Sequence, residues 1–99
     1  MNFNGYECFT TFWQDFTIAE KYGVSAVKDT YDRAFNDWKN NYRYLTELVM
    51  VLNNKCWHHY ENGMTTLSEL YSDLYYEASG YAYDNLTGRE LDYYISITD

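Results

Sequence analysis

The densest run of apolar residues lies between residues 45 and 60, in the stretch LTELVMVLNNKCWHHY. On a helix that turns about 100° per residue, this stretch places a continuous apolar row on one face. The row is formed by Leu45, Leu48, Val49, Leu52, Cys56 and Tyr60. Only a narrow arc of the helix is polar. Because a helix that is apolar around most of its circumference is covered on several sides, we predict a central helix at about residues 42–62.

Turn and capping residues divide the first half of the chain into helices. Thr11 followed by Gln14 has the spacing of a capping box, which predicts the start of a first helix. Gly23 is expected to end this helix, and Ser25 to cap a second helix. Asn41 is a candidate cap for the central helix, but the second helix could also continue into it, because no glycine or proline intervenes.

Turn and capping residues also divide the second half of the chain into helices. The Asn-Gly pair at residues 62–63 is expected to end the central helix. Capping boxes at residues 66–69 and 87–90 predict the starts of a fourth helix and of a short last helix. Gly80 interrupts the fourth helical pattern, where it could mark a kink or the close approach of another helix.

Composition supports an all-α fold. The chain has no proline and five glycines, which suits helices joined by short turns better than a sheet of many strands. We therefore predict a compact bundle of four to five helices around the central helix. With 99 residues the chain is expected to be a single helical domain, residues 1–99, with a loose lead-in at residues 1–8.

Acidic residues are concentrated in the second half of the chain. The net charge is −8, and residues 56–99, with eight acidic residues and one basic residue, contribute −7 of it. This imbalance favours a basic protein surface as the partner and disfavours direct binding of nucleic acid or of an anionic membrane. The sequence shows neither a signal peptide nor an apolar run of membrane-spanning length, so we expect a cytoplasmic protein.

Four carboxylates recur at helical spacing in the fourth predicted helix and fall within a sector of roughly 80°. Together with two neighbouring tyrosines and two acids of the last helix they define the acidic face, formed by Glu69, Asp73, Tyr76, Glu77, Tyr83, Asp84, Glu90 and Asp92. Like charges at i and i+4 destabilise a helix, and no lysine or arginine between residues 56 and 88 offsets them. The acidic face is either a docking surface for a basic groove or a feature that only improves solubility.

Other groups of residues are weaker candidates for a metal-binding or catalytic site. Cys56, His58 and His59 resemble a metal site, but only Cys56 and His59 could share an ion, and two ligands do not make a site. Glu47 is the one carboxylate expected to be partly buried, with Arg43 as a ready partner. We therefore expect no metal, no cofactor and no enzymatic activity. Cys8 and Cys56 match no disulfide pattern and are expected to be buried thiols.

Aromatic residues offer a second kind of interaction surface. Tyrosine alone accounts for 13 residues, too many for the core of a small domain, and tyrosine is common in binding surfaces. A structural or regulatory module, such as a homodimer or an adaptor, would use exposed aromatic residues and tolerate salt. The candidates for this interface are Trp13, Tyr76, Tyr83 and Tyr93.

Several segments resemble one group of proteins. FWQDFTIAEKYG, KDTYDRAFNDWK, YLTELVMVLNNK and the ending NLTGRELDYY-x-x-x-TD are similar to small uncharacterised accessory proteins of phages, plasmids and conjugative elements of Gram-positive gut bacteria. The resemblance implies a mobile-element protein that acts inside a bacterial host, and it carries no known catalytic motif. Acidic proteins that imitate DNA inhibit host nucleases in anti-restriction and anti-CRISPR systems. By analogy, the acidic face is expected to block a defence nuclease.

Overall fold

The described part of the chain folds into five α-helices. The computed structural model describes the backbone of residues 4–98 and the side chains of residues 9–98. The helices are α1 (Asn4–Glu20), α2 (Val24–Trp38), α3 (Tyr42–Glu61), α4 (Thr65–Asn85) and α5 (Gly88–Thr98). No strand occurs in this part of the chain, so the predicted all-α bundle is confirmed, and α3 occupies the position of the predicted central helix.

Helix α3 contacts each of the other four. The end of α1 lies beside the end of α3, so these two helices run in the same direction, and α2, joined to both by short turns, runs in the opposite one. Ser68 near the start of α4 donates a hydrogen bond of 3.0 Å to the carbonyl of Cys56 near the end of α3, so these helices run antiparallel. In α5, the ring of Tyr93 contacts Tyr42 at the start of α3, and the end of α5 lies beside Asn53. Helix α5 therefore runs in the same direction as α3, which makes the bundle an up-and-down one.

The core is built around the apolar face of α3. All five helices contribute to it, and its buried apolar residues are Phe12, Phe16, Ala19, Val27, Tyr31, Leu45, Leu48, Val49, Val51, Leu52, Tyr71, Leu74, Ala78, Ala82, Leu86 and Tyr94. Each fully buried leucine or valine stabilises the fold by about 1.5–3 kcal/mol relative to an exposed one. The spacing predicts Tyr60 on this face, but it is exposed in the last turn of α3 and contacts the ring of Trp57. The apolar row therefore ends one turn early.

Helix α1 begins earlier than predicted. The backbone is already helical at Asn4, so a loose lead-in is wrong for residues 4–8, and residues 1–3 lie outside the described part. Phe9 accounts for the difference, because it packs against the core and its ring stacks on Trp13 at a centroid distance of 6.2 Å. This contact extends the apolar side of the helix past the predicted cap Thr11, which lies inside α1.

Three predicted helix boundaries agree with the structure. The Asn41 side chain caps α3, since its Oδ1 accepts from the backbone N–H of Arg43 at 3.1 Å and of Tyr44 at 3.2 Å. Helix α3 ends at residue 61, and Gly63 then takes a φ of +76°, the left-handed conformation that suits glycine after a helix. Helix α5 begins directly after Thr87.

Besides Thr11, two further predicted caps are wrong. Helix α2 begins directly after Gly23, whose φ of +110° turns the chain and whose carbonyl accepts from the Val27 N–H at 3.2 Å. Ser25 therefore lies inside the first turn and caps nothing. In α4 the carbonyl of Met64 accepts from the Ser68 N–H at 3.0 Å, so this helix also begins before its predicted capping box and has no side-chain cap.

None of the described helices combines the length and apolar character needed to cross a lipid bilayer.

Candidate functional site

The acidic face lies mainly on the outer side of α4. All eight of its residues are exposed, with exposed fractions of 70% for Tyr76 and 50% for Tyr83. Glu69, Asp73 and Glu77 follow one another at four-residue steps, which separates successive carboxylates by about 6 Å along the helix axis. The structure therefore places the predicted residues of α4 on one exposed strip, parallel to the buried side of the same helix.

The charges of this strip are not compensated. Glu90 and Asp92 are exposed on α5, which packs against α3 and α4. Among residues 9–98, no basic side chain forms an ion pair with any carboxylate of the acidic face. Burial raises the pKa of Tyr31 in α2, and the neighbouring Glu77 carboxylate raises it further. One edge of the acidic face thus adjoins α2, while the rest is open to solvent.

The four candidate residues of an aromatic interface do not lie on one surface. Tyr76 and Tyr83 are exposed within the acidic face. Trp13 is half-buried on α1, and Tyr93 is half-buried on α5, where the Arg43 guanidinium lies over its ring at 5.6 Å. The structure therefore spreads the predicted aromatic interface over three helices and leaves only Tyr76 and Tyr83 exposed, although these two rings also contact Tyr75 and Tyr94.

A buried polar cluster that the sequence pattern does not predict joins α1, α3 and α4. Its centre is Oε2 of Glu20, the last residue of α1. This oxygen accepts from Lys55 Nζ at 3.1 Å, from His59 Nε2 at 3.0 Å and from the Tyr71 hydroxyl at 2.5 Å. Lys55 also donates to Thr17 Oγ1 at 2.6 Å. We call these five residues the Glu20 cluster.

The Glu20 cluster is enclosed. The Lys55 ammonium lies 4.2 Å from the centroid of the Trp13 ring, and the His59 and Tyr71 rings stack with an interplanar angle of 7°. Lys55 is 2% exposed, His59 4% and Tyr71 0%. A ligand cannot reach these three side chains without opening the bundle, whereas Glu20 keeps 13% exposure and Thr17 is exposed at the edge of the cluster. The cluster therefore holds α1 against α3 and α4 and does not form an open active site.

Charge and burial oppose each other at the centre of the cluster. Burial of the Glu20 carboxyl favours a higher pKa, but the hydrogen bonds from Tyr71, His59 and Lys55 outweigh burial and hold the pKa of Glu20 below its ordinary value of 4.5. Burial raises the pKa of Tyr71, and its bond to the Glu20 carboxylate raises it further. Because a carboxylate can only accept, His59 Nε2 is the donor to Glu20, and the buried Nδ1 has no hydrogen-bond partner among the described residues.

One feature of the sequence points to this cluster. Lys55 lies among apolar positions of the most buried helix, not in its polar arc. A cation in that position needs a buried partner, because an unpaired charge is costly to remove from water. The partner itself is 35 residues away in sequence, and local spacing does not identify it.

The Cys56–His59 segment is divided between different contacts. Cys56 is half-buried, with its Sγ 3.7 Å from Ser68 Oγ, and His58 is exposed with its ring edge-to-face against Trp13. His59 belongs to the Glu20 cluster. Within the described residues no group of three or more histidine, cysteine or carboxylate side chains could hold a metal ion. The Cys8 side chain lies outside the described residues.

The predicted pair of Glu47 and Arg43 is wrong. Glu47 is 4% exposed, as its position in α3 suggests, but Arg43 packs on the rings of Tyr42 and Tyr93 instead. Burial raises the pKa of Glu47, and a hydrogen bond from the Phe9 backbone partly offsets this. Glu47 Oε1 has no partner among the described residues.

The fold and the site define a five-helix bundle with an uncompensated acidic face and an enclosed ionic cluster. Comparisons with protein-family models, curated proteins and solved structures found no match for this chain.

Proposed function

We propose that this chain is an acidic protein-binding inhibitor that occupies a basic nucleic-acid groove of a host defence nuclease. It would act as a DNA mimic of the anti-CRISPR or anti-restriction type, encoded by a mobile element and working in the bacterial cytoplasm. One observation carries the proposal: the exposed carboxylates of the acidic face have no ion-pair partner in the described part of the chain. A basic partner would supply the missing counter-charges.

The mechanism is competitive exclusion. On α4, Glu69, Asp73 and Glu77 provide one negative charge per about 6 Å, compared with one per about 3.4 Å along a DNA strand. Tyr76 and Tyr83 add rings on which arginine guanidinium groups can stack. A groove that binds DNA phosphates through lysine and arginine would bind this strip in their place, with an association rate that falls as salt rises.

The first test is capture on the immobilised chain from a lysate of the host. Binding is compared at about 0.1 M and about 1 M NaCl, where the Debye length falls from about 10 Å to about 3 Å. A captured DNA-handling protein should be released by high salt and displaced by duplex DNA. Its nuclease activity should be inhibited by the purified chain.

A matched pair of variants tests the site itself. Glu69→Gln/Asp73→Asn removes two charges from the acidic face, whereas Asp32→Asn/Glu61→Gln removes two exposed charges elsewhere. Only the first variant should lose capture and inhibition. Because both variants change the net charge equally, a difference between them reports the position of the charges. Equal loss in both variants, or no loss in either, would refute the acidic face as the docking surface.

A structural or regulatory module is the alternative. The exposed rings of Tyr76 and Tyr83 favour it, since they could form the centre of an aromatic contact with a second copy or with another protein. Such a contact would resist high salt and would be lost on Tyr76→Ala/Tyr83→Ala, while Glu69→Gln/Asp73→Asn would leave it intact.

A further inference from the structure

A groove runs between α1 and α2, on a part of the molecule that the acidic face does not use. It consists of two adjoining cavities of about 380 and 390 Å³, and Asp15, Thr30 and Arg33 line both of them. The groove extends from Trp38 at one end to Tyr22 at the other. It follows α1 from Thr11 to the end of that helix at residue 20, a length of about 14 Å, and continues along the turn to Tyr22.

Small side chains leave the space between α1 and α2 unfilled along this groove. Ala26 and Ala34 line it from α2 and Ala19 from α1, and all three are too short to fill the space. The rings of Phe12 and Phe16 form the floor of the groove but are almost fully buried. Its accessible apolar surface comes mainly from Ile18 and Tyr22, which are 55% and 79% exposed.

Negative charge predominates at the rim. Asp15 on α1 and Asp29 and Asp37 on α2 are exposed, and none of the three forms an ion pair with another described residue. Among the described lining residues, Arg33 is the one that is basic, and it lies between the two aspartates of α2. Its guanidinium makes a weak hydrogen bond of 3.5 Å to Thr30.

We propose that this α1–α2 groove binds a basic amphipathic helix of a partner protein. The apolar lining would take the apolar side of that helix, and the aspartates would pair with its cations. Asp29 and Asp37 are eight residues apart, a separation of about 12 Å along α2. The partner helix therefore carries lysine or arginine at two positions seven or eight residues apart, with leucine-sized residues between them.

The test uses a labelled helical peptide of about 12 residues, built from leucine, alanine and glutamine with two lysines eight positions apart. Fluorescence anisotropy measures its binding to the full chain. A second peptide has the same composition but places the lysines four positions apart, and a third has glutamate in place of lysine. The first peptide should bind at least about fivefold more tightly than the second, and the third should not bind.

Variants locate the binding. Asp29→Asn/Asp37→Asn should weaken the first peptide about fivefold, and Ala26→Phe, which fills the groove, should weaken it further. The matched control Asp32→Asn/Glu61→Gln should have no effect, and circular dichroism checks that Ala26→Phe folds. Equal binding of both lysine peptides would overturn the proposal.

The same experiment separates this groove from the proposed inhibitor site. Glu69→Gln/Asp73→Asn should not change the affinity for the peptide, although it should abolish capture of a nuclease. Loss of peptide binding in this variant, with none in Asp29→Asn/Asp37→Asn, would mean that the peptide binds the acidic face and that the groove is empty. Failure of the peptide to bind leaves the nuclease test unaffected and overturns only the groove.

Discussion

The Glu20 cluster makes the sharpest prediction for stability. Glu20→Gln keeps the shape of the side chain but removes the charge that pairs with Lys55 at 3.1 Å. Because Lys55 is only 2% exposed, its ammonium would remain buried with Thr17 and the Trp13 ring as its contacts. Breaking a buried ion pair from one side costs about 3–5 kcal/mol. We expect the lower end, about 3 kcal/mol, since the Glu20 side chain keeps 13% exposure.

The opposite change should cost less. Lys55→Met removes the buried cation and leaves Glu20 with its bonds from His59 and Tyr71 at 3.0 and 2.5 Å. A carboxylate that still accepts two hydrogen bonds and contacts solvent costs less free energy than an unpaired buried ammonium. We therefore expect the free energy of unfolding to fall by about 1 kcal/mol. The double variant should then be more stable than Glu20→Gln alone by at least about 1 kcal/mol.

Urea unfolding followed by circular dichroism measures all four proteins, and equal denaturant slopes are required for the comparison. The pH dependence has a defined sign. Because the pKa of Glu20 is lower in the folded state than its ordinary 4.5, its stabilisation is complete above that value and is lost as pH falls through the folded pKa. The difference between the native chain and Glu20→Gln should therefore shrink in acid. Additive single costs, or a Glu20→Gln variant as stable as the native chain, would refute the reasoning.

Three further changes should alter stability in predictable directions. Glu47→Met should stabilise the fold by about 1 kcal/mol at pH 7, and thermal unfolding at pH 7 and below pH 4.5 should show the gain disappear in acid, because the folded pKa of Glu47 is raised. Gly80→Ala should stabilise the fold by about 1 kcal/mol, because Gly80 is an exposed helical residue and a Cβ added there would have no other atom within 4 Å. A lower thermal midpoint of the variant would contradict this. Asn41→Ala should cost about 1 kcal/mol in urea unfolding, because the amides of Arg43 and Tyr44 lose their cap, while Asn41→Asp should retain most of that stability.

Local patterns were sufficient to predict the central helix. Leu45, Leu48 and Leu52 repeat at helical spacing, and all three are fully buried in α3. The ends of helices were harder to predict, because backbone conformation competes with side-chain capping there. Gly23 shows this: its φ of +110° starts α2 without any help from Ser25. A glycine can end one helix and begin the next, and sequence spacing distinguishes the two roles poorly.

The ionic cluster could not be assembled from the sequence because its members are far apart along the chain. Glu20 pairs with His59 and Tyr71 across 39 and 51 residues. Glu20 is also the last residue of α1, next to a turn, and a carboxylate in such a position is ordinarily exposed to solvent. Only the way α1 packs against α3 and α4 brings it under cover. Long-range packing, and not local propensity, decides which of the charged residues of this chain become buried.

The two sides of α4 explain how the chain tolerates its acidic face. Repulsion between carboxylates four residues apart costs a few tenths of a kcal/mol for each pair. On the opposite side, Tyr71, Leu74 and Ala78 are buried, and the two larger side chains each contribute roughly 1.5–3 kcal/mol. Packing of the buried side therefore outweighs repulsion severalfold. Neutralising Glu69 and Asp73 removes repulsion and leaves this packing unchanged, so the helix should stay folded. This separation of charge from stability is what allows a binding defect in that variant to be assigned to the surface itself.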